Sequence, residues 1–99
     1  MDRIYISGKM SGLTDTGIHA AFDPIADRFR ATGHKVYNPA DHLEEFRRHR
    51  YTYEHIMELD IQELLTCGIV IMLPTWRDSK GATLEHHIAR VLGKFVVYE

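Results

Sequence analysis

The sequence predicts one small α/β domain, a doubly wound parallel sheet of four to five strands flanked by helices. Three observations carry this. Short runs rich in β-branched residues alternate with longer stretches of helical periodicity, and that alternation implies parallel pairing through right-handed crossovers. Residues 68–73, Gly-Ile-Val-Ile-Met-Leu, are unbroken and apolar, as expected of a strand covered on both faces. Finally, 99 residues leave room for a single domain spanning residues 1–99. A chain of this size buries about 60–65% of its unfolded surface, so one modest core must suffice.

The elements follow in order. Residues 3–7 read as a first strand ended by Gly8. Ile18, Ala21, Phe22, Ile25, Ala26 and Phe29 mark a helix over residues 18–32, with Gly33 as its C-cap. Pro24 either kinks that helix or, with Asp23, starts a new one. Residues 35–37 form a second short strand stopped by Asn38-Pro39. Residues 41–50 are polar and mixed in charge, fitting a loop or a short surface helix. A strong helix covers 51–66, with Thr52 as N-cap. After the apolar strand, residues 74–80 are a polar loop. Residues 81–92 are a helix capped by Gly93, and 94–98 are the last strand. The arrangement is flavodoxin-like or Rossmann-like. In such sheets ligands bind beyond the carboxyl ends of the strands, which here are residues 8–16, 38–53 and 74–82.

Composition excludes several classes. The chain is 44% hydrophobic and 26% charged, ordinary for a globular domain and unlike a disordered tail. Twelve Lys and Arg against fourteen Asp and Glu give a formal net charge of −2, which disfavours bulk nucleic-acid binding. The longest apolar run, residues 68–74, is far below the ~20 residues of a membrane span. Tyr5 and Lys9 interrupt any signal-peptide pattern, so the expected location is the cytoplasm. Cys67 is the only cysteine, which excludes an intrachain disulfide. The seven histidines show no ligand-like spacing; His86 and His87 are adjacent and point to different faces. No metal and no cofactor are expected.

Two carboxylates stand where the pattern asks for apolar side chains. Asp60 falls in the stripe of Ile56, Met57, Leu64 and Cys67. Glu85 continues the stripe of Ile88, Ala89 and Leu92 one turn earlier. Each either swings off the stripe edge into solvent or is buried with a raised pKa, as acid–base groups are. Glu85 lies at the expected ligand-binding edge. The loop Gly8-Lys9-Met10-Ser11-Gly12, with Ser7 before it, has the glycines, hydroxyls and cation suited to a phosphate. It lacks the three-glycine dinucleotide fingerprint and the longer phosphate loop. Ser79-Lys80-Gly81 repeats that chemistry at the last helix. Residues 47–53, Arg-Arg-His-Arg-Tyr-Thr-Tyr, are either a lid over a base or phosphate or a solvated surface segment. Trp76 is either a stacking platform or loop packing, and Cys67 is a core residue.

Taken together, three segments resemble the nucleoside 2-deoxyribosyltransferase superfamily, which includes 2′-deoxynucleoside 5′-phosphate N-hydrolases. They are Ile4-Tyr5-Ile6-Ser7-Gly8, then Met57-x-x-Asp60-Ile61-x-x-Leu64, then Ser79-Lys80-Gly81-Ala82-Thr83-Leu84-Glu85. Asn38-Pro39 and Leu73-Pro74-Thr75-Trp76 bring the likeness closest to a short bacterial and phage branch. The resemblance spans nearly the whole chain, in order. It implies that Glu85 is the nucleophile on the anomeric carbon, that Tyr5 orients it, and that Asp60 assists the base. It also implies that Gly8, Lys9, Met10, Ser11, Gly12 and Ser79 hold a 5′-phosphate. Two departures stand out: Lys80 replaces the aspartate that precedes the glycine in many transferases, and the first loop lacks the arginine of some hydrolases. The expected site is thus Glu85, Asp60 and Tyr5 for catalysis, with Ser7, the loop 8–12, Asn38, Trp76, Ser79 and Gly81 for binding.

The implied activity is hydrolysis or base transfer at the N-glycosidic bond of a 2′-deoxynucleoside or its 5′-monophosphate. A nucleotide sensor without turnover and an NAD glycohydrolase-like enzyme are the alternatives. The expected partners are a small nucleoside or nucleotide and a second copy of the chain. The resemblance implies a homodimer or higher homo-oligomer in which a neighbouring subunit closes the pocket.

Overall fold

A computed structural model describes residues 2–99. Four strands, β1 (Ile4–Ser7), β2 (Val36–Tyr37), β3 (Ile69–Met72) and β4 (Phe95–Tyr98), form one sheet in the order β2-β1-β3-β4. Every pairing is parallel, with Tyr5 opposite Tyr37 on one side and Val70 on the other. The helices are α1 (Asp15–Arg30), α2 (Leu43–Arg48), α3 (Tyr53–Leu65) and α4 (Lys80–Val91). Single 3-10 turns occupy Pro39–His42 and Trp76–Asp78. This is the doubly wound α/β fold expected, with four strands. No helix among the described residues is long and apolar enough to cross a membrane.

The alternation of side chains along a strand divides the core in two. Ile4 and Ile6 pack with Ile18, Phe22 and Ala26 of α1 on one face. Tyr5 packs on the other face with Leu64 of α3 and Ala82 and Ala89 of α4. The chain runs from β1 to β2 through α1, then passes back beyond β1 to β3 through α2 and α3. The direction reverses there, and the ends of β1 and β3 diverge into opposite connections.

Several boundaries differ from expectation. α1 starts at Asp15 behind Thr14, whose side chain accepts from the Gly17 N–H. The helix continues through Pro24, which lies on its exposed side, where a carbonyl left without its helical partner remains open to solvent. Asp23 therefore caps no new helix; its carboxylate accepts from Asn38 Nδ2 at 2.9 Å. α1 ends at Arg30, and Gly33 instead makes the left-handed turn beyond it (φ 88°). Residues 43–48, read as loop or short helix, form α2. Thr52 caps α3 as expected, accepting from the His55 N–H. In α4 the buried stripe is Ala82, Glu85 and Ala89. Leu92 leaves it and is 55% exposed, because the helix stops at Val91 and β4 is the sheet's edge.

Candidate active site

β1 is the origin of the site. Tyr5 and Ser7 are two residues apart on a strand, so both side chains reach the α3–α4 face. Glu85 faces them from the second turn of α4. The Tyr5 hydroxyl donates to Glu85 Oε2 at 2.5 Å and the Ser7 hydroxyl donates to Oε1 at 2.7 Å. Tyr5 and Ser7 are buried, and Glu85 is only 5% exposed. Both oxygens of the carboxylate are thus held, one by each hydroxyl.

Asp60 sits on α3 and is likewise buried. Its Oδ1 accepts from the Tyr37 hydroxyl at 3.0 Å. Tyr37 is the register partner of Tyr5, and the two rings stack with centroids 5.4 Å apart. Two tyrosines on adjacent strands thus carry two carboxylates on adjacent helices. The His42 ring stacks on the outer side of Tyr37 at 5.0 Å.

Burial dominates the electrostatics. Loss of solvation pushes the Glu85 carboxyl up to about 7, opposed by the Ser7 and Tyr5 donors and reinforced by the charge of Asp60. It pushes Asp60 up to about 6, opposed by Tyr37 and His42. The Tyr5 hydroxyl is raised well above its ordinary range by burial and by Glu85. Tyr37 is raised by burial and by Asp60. Both phenols therefore remain proton donors at any physiological pH.

These groups open into a cavity of about 690 Å³ at the carboxyl end of β1. Tyr5, Asp60 and Glu85 line it together. So do Gly8, Met10, Ser11 and Gly12 of the loop after β1, and Ser79 and Gly81 at the start of α4. Ser79 is the N-cap of α4, its hydroxyl accepting from the Ala82 N–H at 3.1 Å. Gly8 is required by packing: a Cβ there would stand 2.9 Å from Leu73 Cβ. Gly12 is required by its backbone, at φ 83°.

A family model described as a domain of unknown function (DUF4406) matches residues 2–98. The chain belongs to the DUF4406 family. No curated protein and no solved structure matches it.

Four expected binding residues of this DUF4406 chain lie off the cavity wall. Ser7 stands behind Glu85, so it supports that carboxylate rather than forming part of the wall. Lys9 does not line the cavity; its backbone N–H meets Thr75 Oγ1, beyond β3, at 3.5 Å. Asn38 is structural: its side chain caps the turn at Ala40 and ties it to α1 through Asp23. Trp76 stacks on His86 at 4.1 Å, beneath the Arg77 guanidinium, because the Trp76–Asp78 turn lies over the outer side of α4.

Other residues join the DUF4406 site that were not expected there. Tyr37 supports Asp60 from beneath, a partnership set by its parallel register with Tyr5 and invisible in the sequence. Ile56 and Met57, assigned to an apolar stripe, form an apolar wall of the cavity. Arg47, Arg50, Tyr51 and Tyr53, from the segment with two readings, also face it. Among the described residues, no three His, Cys, Asp or Glu side chains gather closely enough to hold a metal ion.

Proposed function

We propose that this DUF4406 protein cleaves the N-glycosidic bond of a 2′-deoxynucleoside or its 5′-monophosphate, by hydrolysis or by transfer to another base. The observation that supports the reading is the Glu85 carboxylate, buried, held at both oxygens by Tyr5 and Ser7, and open to a cavity shared with Asp60. Fixing a carboxylate this way confines it to one direction of attack and costs no reorganisation during the reaction.

In the first step a Glu85 oxygen bonds to the anomeric carbon while the carbon–nitrogen bond breaks. The transition state is oxocarbenium-like, and the negative carboxylate stabilises it. The bonding pair goes to the base nitrogen, which takes a proton from the Asp60 carboxyl. The product is a glycosyl ester of Glu85. Water or a second base then attacks the anomeric carbon, the ester carbon–oxygen bond breaks, and Asp60 recovers the proton. The apolar wall of Ile56 and Met57 suits the flat face of a base. The substrates place the activity in the cytoplasm, and that compartment is part of the proposal.

The test is incubation with a panel of deoxynucleosides, deoxynucleoside monophosphates and NAD, with free base read by chromatography. Base release from at least one deoxynucleoside or deoxynucleotide, lost in Glu85→Ala, is the expected result. Turnover unchanged in that variant overturns the nucleophile. Tight binding with no release from any compound makes the cavity a sensor instead.

A further inference from the structure

The mouth of the cavity is bridged by residues 47–53, and the two ends of that bridge are anchored on different helices. At one end Arg47 forms an ion pair with Asp15, the first residue of α1. At the other end Tyr53 lies against the start of α4: a methyl at Gly81 would stand 3.1 Å from its hydroxyl. Arg50 is between these anchors and faces the cavity. Its backbone is left-handed (φ 52°), the only such residue other than glycine among those described. The position follows α2, where the Tyr51 N–H reaches back to the Phe46 carbonyl at 3.1 Å, and glycine is the residue that normally fills it. An arginine held there carries a conformational cost that a glycine would avoid. Among the described residues, no carboxylate lies within salt-bridge distance of Arg50, although Arg3, Arg28, Arg30 and Arg47 are all paired.

The cavity is polarised by charge. Its buried floor carries Asp60 and Glu85, and its rim carries Arg47 and Arg50. The N-terminal ends of α1 and α4, whose partial positive charge favours anions, also open toward the rim at Leu13 and Ser79. A ligand that fits this field carries its negative charge at the rim and places an electron-poor centre at the floor.

We propose that residues 47–53 form a recognition strap whose Arg50 binds a phosphate monoester, making the 5′-monophosphate rather than the free nucleoside the preferred ligand. This rests on the reading of the cavity as a nucleoside site. The guanidinium offers paired donors that match two phosphate oxygens, and Tyr51 and Tyr53 flank it on the strap.

The test is calorimetric binding of the four common 2′-deoxynucleoside 5′-monophosphates and their nucleosides. The proteins compared are the wild type, Arg50→Gly and Arg48→Ala. Arg48 precedes the strap's crown and does not line the cavity, so its variant changes net charge equally and serves as the control. Arg50→Gly relieves the left-handed backbone, so it is expected to melt no lower than the wild type. The expected result is a monophosphate preference of about ten- to hundred-fold, the range of a charge-assisted contact. That preference falls to near parity in Arg50→Gly and is kept in Arg48→Ala.

A preference retained in Arg50→Gly, or absent from the wild type, overturns the strap's role. Equal loss in both variants reduces Arg50 to a general field effect and also overturns it. Arg50-dependent phosphate preference without base release from any compound upholds the strap and overturns the cleavage reading. Base release indifferent to Arg50 does the reverse. Binding of no compound overturns both.

Discussion

Glu85 is acceptable inside the protein only because two hydroxyls of one strand meet its two oxygens. Its carboxyl nevertheless lies at about 7 rather than the ordinary 4.5, so the fold favours the neutral form. The sign of the consequence follows. Between those two values the folded protein holds a proton that the unfolded chain has released, and stability falls as pH rises through about 7. Glu85→Gln removes the titration while leaving the hydroxyls a partner. It is expected to be more stable than wild type by about 3 kcal/mol at pH 8, with the difference nearly gone at pH 4.5. Urea unfolding at the two pH values measures this. On the proposed mechanism Glu85 must be ionised while Asp60, which lies at about 6, keeps its proton, so base release is expected to peak between about pH 6 and pH 7 and to fall on either side. Tyr5→Phe deletes a donor that holds the charge, so the Glu85 carboxyl moves further up. The basic limb of kcat/KM against pH is then expected to shift to higher pH, with a loss of several-fold at neutrality. An unshifted limb would mean that Tyr5 does not act through Glu85.

At the scale of elements, the starts of the three longer helices carry polar caps, and side chains of the candidate site are placed by their neighbours. Thr14, Thr52 and Ser79 accept N–H groups at the first turns of α1, α3 and α4. Those caps also fix where α1 and α4 begin, hence the rim of the cavity. The loop after β1 hugs β3 because Gly8 has no side chain. Gly8→Ala puts a methyl within 2.8–3.1 Å of three Leu73 atoms. Leu73 belongs to the buried core and cannot move aside freely. A loss of about 1–3 kcal/mol is expected from such overpacking, read by denaturant titration. A variant as stable as the wild type would show that the loop can lift, and that wall of the cavity with it.

On the scale of the whole molecule, the sheet order β2-β1-β3-β4 makes the site. It puts β1 at the centre, so Tyr5 and Ser7 can be reached from α4, while Tyr37 on the neighbouring strand reaches α3. Four strands leave β4 as an edge, and Val91, Leu92 and Phe95 remain exposed there at 68%, 55% and 68%. The resemblance implies an oligomer, and this apolar edge is a surface on which one can be tested. Light scattering is expected to give a multiple of the 11.5 kDa chain. Replacing Val91 and Phe95 together by lysine is expected to lower that mass if the α4–β4 edge is the contact. A mass of one chain in the wild type would set the oligomer aside.

The order of elements and the identity of Glu85 and Asp60 were legible in the amino-acid sequence. Periodicity registers a carboxylate in an apolar stripe whatever the tertiary arrangement, because burial of one helix face is a property of that helix. Parallel pairing followed equally from the alternation of strands and helices. What the sequence could not reveal was partnership. Tyr37 reaches Asp60 only because β2 lies beside β1 in one register. Ser7 serves Glu85 rather than the cavity because strand alternation and the approach of α4 coincide there. Asn38 and Trp76 carry suitable chemistry in the right loops, yet Asn38 is drawn to α1 and Trp76 to the outside of α4. Conversely, residues 47–53 were undecidable between lid and surface until Asp15 and Gly81 fixed the two ends of the strap. Composition and periodicity report what a side chain can do and which face of its own element it occupies. The direction in which it acts depends on what the rest of the chain places opposite it, and only the tertiary structure decides that.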